Sequence, residues 1–228
     1  MSFHLVPWLA PVVLAAAGTI GFAARRRRPR VAPVLAEAAA LIALLAATLS
    51  AVGLVLSGGS ATTLGRPGWG PSLRLDAVSV TMLLLVTFVG WVVVRYARTY
   101  LDGEARQGAF TGWLCLTLAA VLVLVTAGNL VQLVTAWIAT SLFLHRLLLF
   151  YPDRVAAQRA ARKKFVTARL GDLALLGAAG LLLAAYGTAD IGTILAAAQQ
   201  GAGGGFAIAA AALLAVAAVL KSAQFPTH

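Results

Sequence analysis

The chain has 228 residues, 61% of them hydrophobic and 11% charged, with a mean hydropathy of +0.91. That composition lies outside the range of soluble domains and marks an integral membrane protein. The formal net charge of +11 is spread through short gaps between apolar runs instead of covering one polar face, which argues against a nucleic-acid partner, and a lone cysteine, Cys115, excludes an internal disulfide or a thiol-bound metal centre.

Residues 3–24 form an apolar run long enough to cross a bilayer as a helix. No cationic start precedes it, and RRRRPR follows it at residues 25–30, so it reads as a retained first helix instead of a signal peptide. The five arginines either hold the loop in the cytoplasm or bind anionic lipid. Residues 33–57 give a second span, with Glu37 near its first turn, where a carboxylate favours the helix N-terminus. A loop with Arg66 and Arg74 leads to a third span, 76–96, which Asp76 can cap; the alternative for Asp76 is a proton-carrying role.

A polar connection with Arg95, Arg98, Asp102, Glu104 and Arg106 precedes the fourth span, 110–127, and an uncharged turn at Gly128 and Asn129 joins it to the fifth, 130–150. Pro152 and Asp153 open a basic amphipathic helix, 153–164, suited to the cytoplasmic headgroup surface. The sixth span follows at 165–186, a Gly-rich stretch at 187–205, and the seventh at 206–224. The glycines at 201–205 lack the strand-to-helix setting of a dinucleotide loop. The expectation is an all-α polytopic bundle of about seven spans in one domain, 1–228.

Loops one, three and five gather five, three and seven Lys and Arg, against two, none and none for the other three. The positive-inside rule then predicts a multi-pass protein of the plasma membrane with its N-terminus outside and C-terminus cytoplasmic.

Charged and titratable groups at membrane depth each need a reason. Arg169 and Asp172 are three apart and share a helix face, as a structural ion pair or as part of an ion path. His145 titrates near neutrality and either relays protons or stays neutral and hydrogen-bonded; its neighbour Arg146 can reach the headgroups. Lys221 closes an apolar run five residues before Pro226. It either snorkels from a helix end or faces an internal hydrated cavity beside a helix break.

The segments DAVSVTMLLLVTFVGWVVVRYARTYL, NLVQLVTAWIATSLFLHRLLLFY, ARKKFVTARLGD and KSAQFPTH resemble the antiporter-like membrane subunits. These are the L-type subunit of respiratory NADH:quinone oxidoreductase, the cation/proton antiporters, and the membrane subunit of DAB-type inorganic carbon transporters. The resemblance runs over roughly residues 76–228. It implies that Lys221 is the family's lysine on a discontinuous helix, with SAQFP as the break at which the chain ends, and that Arg169, Gly171 and Asp172 match the family's R-x-G-D. Lys221 and His145 become candidates for the ion path, and Arg169 and Asp172 for a supporting pair.

Respiratory and antiporter members carry glutamate after the tryptophan of helix five, whereas here Ile138 follows Trp137. With TSLFLH and FPTH, this departure resembles the DAB branch. The expectation is a transport subunit without its own catalytic residues, metal or cofactor, beside a large peripheral zinc-containing partner and membrane lipid. His4, His145 and His228 are too far apart to suggest a zinc site in this chain. Family members continue beyond the break, so the resemblance also implies a truncated or split subunit whose remaining helices come from a second chain. The alternatives are a proton-translocating L-type subunit of an oxidoreductase or antiporter complex, and a membrane fragment that transports nothing.

Overall fold

A computed structural model describes residues 6–23, 31–57, 62–65, 70–151 and 153–222. Within them the helices are α1 (Val6–Ala23), α2 (Val31–Leu56), α3 (Ala77–Tyr100), α4 (Gln107–Val125), α5 (Leu130–Leu148), α6 (Val155–Tyr186), α7 (Ile191–Gln199) and α8 (Gly204–Lys221). All except α7 are long and apolar enough to cross a membrane. An α-helix satisfies its backbone within the segment, the condition that hydrocarbon imposes on spanning elements. The chain is thus an all-α polytopic bundle.

Helices α1 to α4 form one packed group. Its interior is largely alanine: Ala10 and Ala17 on α1, Ala36, Ala40, Ala43 and Ala47 on α2, filled out by Leu14, Leu83, Cys115 and Leu122. Small side chains let helices approach closely where apolar solvent gives no hydrophobic drive to associate. A close approach joins α1 to α4: a Cβ on Gly112 would lie 2.9 Å from the Gly18 carbonyl oxygen, and one on Gly21 2.9 Å from that of Gly108. Larger side chains such as Leu45, Val55, Val78 and Leu85 point outward and are exposed, as a lipid-facing surface requires.

From α4 the bundle extends through α5 to α6, and α8 packs along α6. Val134 of α5, Leu175 of α6 and Ala217 of α8 meet in a small apolar core with Trp137 and Ile138 against it. The three helices carrying the candidate residues are joined there.

At one end of the bundle lies a structure that the loop composition conceals. Residues Thr62–Gly65 (β1) and Ser72–Leu75 (β2) pair antiparallel. Leu73 bridges to Ala127, and Asn129 bridges to Asp190. Asn129 makes the turn between α4 and α5 a junction: its Nδ2 donates to the Gly70 carbonyl (2.7 Å) and Ser72 Oγ (2.8 Å), while its Oδ1 accepts from the Gln132 amide (2.8 Å). The opposite, basic end is tied by Glu37, which accepts from Arg98 at 2.7 Å and Arg95 at 3.2 Å, and by Arg106, which donates to the Phe150 carbonyl.

Several boundaries differ from the sequence expectation. The basic helix at 153–164 and the span at 165–186 are one continuous helix, α6. No Gly or Pro lies between residues 155 and 165 to separate them. The Gly-rich connection contains α7, whose N-terminus Asp190 caps by accepting from the Thr193 amide at 2.8 Å. Helix α8 ends at Lys221. The expected break at 223–228, the arginines of 25–30, Arg66, Pro152, His4 and His228 lie outside the described residues.

Candidate functional site between α5, α6 and α8

On α5, Trp137, Ser141 and His145 follow at intervals of four and share a face. Neighbouring helices address each of these turns. Lys221, the last residue of α8, directs its ammonium to the Trp137 carbonyl oxygen at 3.3 Å and over the Trp137 ring, 4.2 Å from its centroid. An ammonium above an indole is attracted by the ring's quadrupole. One turn on, Lys164 of α6 donates to the Ser141 carbonyl at 3.0 Å. At the next turn, His145 lies 5.0 Å from the Phe165 ring, and its Nδ1 is buried without a hydrogen-bond partner among the described residues.

Asp172 supplies the carboxylate of the site. Its side chain is 6% exposed and meets Arg169 at 2.6 Å, an ion pair without hydrogen-bond alignment. Its other oxygen accepts from the Trp137 indole N–H at 2.9 Å. A buried carboxylate is tolerated only when paired and hydrogen-bonded, and here the cation comes from α6 and the donor from α5. Arg169 also stacks over Phe165, 5.1 Å from the ring centroid. Trp137 consequently touches Lys221 with its face and carbonyl and Asp172 with its edge. Ile138, in the position where the family resemblance leads one to expect glutamate, packs in the apolar core, and Lys221 forms no ion pair among the described residues.

A cavity of about 410 Å³ adjoins His145 and Phe165. A larger one, about 950 Å³, runs from Thr140, Ser141 and Leu144 along the start of α6 to Leu220 and Lys221. It gives Lys221 an opening toward the basic end of the bundle. Among the described residues no three His, Cys, Asp or Glu side chains converge on a point suited to a metal ion.

The four residues singled out from the sequence therefore divide. Lys221, Arg169 and Asp172 are brought together around Trp137, whereas His145 lies two turns along α5. Sequence reasoning missed Trp137 as a contact residue and Lys164 as distinct from the rest of its basic run. The spacing of four from Trp137 to Ser141 to His145 was the available signal; nothing in RKK distinguishes the lysine that turns inward. Asp76 is an N-cap in a reciprocal capping box with Ser79. Burial pushes its carboxyl up, but the Ser79 amide, the Arg74 guanidinium and the Ser79 hydroxyl outweigh burial and hold it below the usual carboxylate range.

Residues 127–228 match the family profile described as NADH:quinone oxidoreductase/Mrp antiporter, TM. Residues 70–111 match that described as NADH-Ubiquinone oxidoreductase (complex I), chain 5 N-terminus. A probable inorganic carbon transporter subunit DabB of Hydrogenovibrio crunogenus is 37% identical over 161 residues, 70% of this chain and 31% of that protein. NADH-quinone oxidoreductase subunit L of Pseudomonas aeruginosa is 35% identical over 157 residues, 68% of this chain and 26% of that one. The chain thus spans about a third or less of the length of these relatives. Among solved structures, the Mrp complex from Dietzia sp. contains a chain that aligns with a TM-score of 0.80 and 27% identity, covering 97% of this chain and 24% of that one.

Proposed function

The chain belongs to the membrane-subunit family of NADH:quinone oxidoreductases and Mrp antiporters, and from that premise we propose that it supplies part of the proton or cation path of an inorganic carbon transporter. The observation that carries this reading is the attachment of Lys221 to Trp137 at the inner end of a 950 Å³ cavity. A lysine at membrane depth holds a proton only while its charge is solvated, paired or otherwise stabilised. The indole face and a carbonyl are weaker partners than a carboxylate, so the ammonium is held without being fixed.

On this reading Lys221 exchanges protons with water that reaches it from the basic end of the bundle, which the positive-inside rule assigns to the cytoplasm. Lys164 of α6, bonded to Ser141, and His145 of α5 mark the two following turns of α5, in the order a proton passing toward that end would meet them. Arg169 and Asp172 keep the Trp137 edge in place. The branch assignment rests on the DabB relatives at 37% identity and on Ile138. On this reading the protein sits in the plasma membrane with its N-terminus outside. A large peripheral partner holds the zinc and performs the carbon dioxide chemistry.

Affinity purification of the native protein in mild detergent tests the partnership. Recovery of a large zinc-containing protein in fixed proportion supports it, and recovery of NADH:quinone oxidoreductase subunits instead establishes the second reading. That second reading, an L-type subunit, is favoured by the 35% identity to subunit L and opposed by Ile138 where those subunits carry glutamate.

A further inference from the structure

Nearly every Lys or Arg among the described residues has a partner. Arg74, Arg95, Arg98 and Arg169 pair with carboxylates. Arg106, Arg146 and Arg154 lie over aromatic rings, and Lys164 and Lys221 bond to carbonyls of α5. The exceptions are Arg159, Arg162 and Lys163, which have neither an ion pair nor a ring contact. They share one face of α6 at spacing i, i+3, i+4, and all three line the 950 Å³ cavity.

The same stripe changes character one turn further on. Val166, at i+7, is 56% exposed, and with Leu144, 39% exposed, and Leu220 it gives the cavity an apolar wall beneath the cations. Among the described residues no acidic side chain lines the cavity. Unpaired cations at one end and open apolar surface directly below them, on a helix that enters the membrane, complement a molecule with an anionic head and hydrocarbon tails.

We propose that Arg159, Arg162 and Lys163 form a binding site for the phosphate of an anionic phospholipid, whose acyl chains lie on Leu144, Val166 and Leu220. The arginines present forked donors to phosphate oxygens and Lys163 adds a point charge. The charged groups among the described residues that line the cavity are all cations, so its mouth attracts an anionic headgroup. The binding site does not rest on the proton-path reading.

The test uses the native full-length protein, delipidated in mild detergent and titrated with phosphatidylglycerol or with phosphatidylcholine of the same acyl chains. Bound lipid is counted by native mass spectrometry. The expected result is retention of phosphatidylglycerol over phosphatidylcholine. The triple variant Arg159→Gln, Arg162→Gln, Lys163→Gln should weaken phosphatidylglycerol on the order of a hundredfold, since each basic residue near an anionic surface contributes roughly a fivefold factor. Arg154→Gln, which removes a cation already placed over Tyr151, should leave that affinity unchanged, and helicity by circular dichroism confirms that the variants fold. Equal retention of both lipids, or a triple variant that binds phosphatidylglycerol as tightly as the parent, overturns the proposal. Displacement of phosphatidylglycerol by equimolar inorganic phosphate overturns the lipid assignment and makes the site one for a soluble anion.

Discussion

Lys221 and Trp137 meet face to face across two helices: the ammonium lies 4.2 Å from the indole centroid and 3.3 Å from the backbone oxygen of the same residue. The indole N–H on the far edge is bound to Asp172. A cation of α8 and a carboxylate of α6 are thus connected through one aromatic side chain of α5, with no direct ion pair between them. On the proposed reading, such an arrangement separates the group that exchanges protons from the pair that fixes the geometry.

Trp137→Phe keeps an aromatic face but removes the N–H that Asp172 accepts, whereas Trp137→Leu removes both. Cation–π contacts contribute about 0.5–2 kcal/mol, depending on desolvation. Ion flux in proteoliposomes should therefore fall less in the Phe variant than in the Leu variant, and its pH profile should shift further in the Leu variant. Equal profiles for the two would separate Lys221 from the ring.

Asp172→Asn leaves Arg169 without its carboxylate in a largely buried setting. Breaking such a pair costs about 3–5 kcal/mol, while replacing both members by apolar residues of similar volume is often close to neutral. Thermal unfolding in detergent should show a large loss for Asp172→Asn and substantial recovery in the double variant Arg169→Met, Asp172→Leu. Failure of the double variant to recover would show that Asp172 is needed for more than neutralising Arg169.

Gly112→Leu tests the packing of the first four helices. A Cβ there would already lie 2.9 Å from the Gly18 carbonyl, and the larger side chain must separate α1 from α4. Overpacking of this kind costs typically 1–3 kcal/mol. Cross-linking between cysteines placed on the facing turns of α1 and α4 should drop with it, while Gly180→Leu, at a position with open space around it, should not change that cross-linking.

The spans were legible in the sequence because hydrocarbon imposes length and apolarity on every crossing segment, and the ion pair because Arg169 and Asp172 are one helical turn apart. The hairpin at β1 and β2 was not, since it is held from a distance by Asn129, Gln132 and the bridge to Ala127. The composition changes from basic to apolar near residue 165, but composition sets where a helix enters lipid, not where its backbone stops, and α6 runs through that point. At the site, Lys221 stood out as a charge at the end of an apolar run. The spacing of four puts Trp137, Ser141 and His145 on one face of α5, but which groups meet Trp137 depends on how α6 and α8 align with it.

At the hairpin end, Asp76 gives the fold an acid sensitivity. Its folded-state pKa lies below the unfolded value because of Ser79 and Arg74. Its contribution is therefore fully present above the unfolded pKa of about 3.9 and is lost as pH falls through the lower folded value. Asp76→Asn retains a good N-cap but not the charge, so it should flatten the acid limb of a stability profile; Asp76→Ala should also lose about 1 kcal/mol at neutral pH. An unchanged acid limb in the Asn variant would remove Asp76 from the account.

Proton flux measured with a pH-sensitive dye in liposomes containing the native full-length protein and its co-purifying partners bears most directly on the ion path. Lys221→Met preserves length and packing while removing the charge. The account predicts flux at the level of empty liposomes for this variant, with unchanged thermal stability of the bundle and unchanged partner recovery. Flux equal to that of the parent protein would contradict it, and Lys221 would then be a residue that only anchors the end of α8.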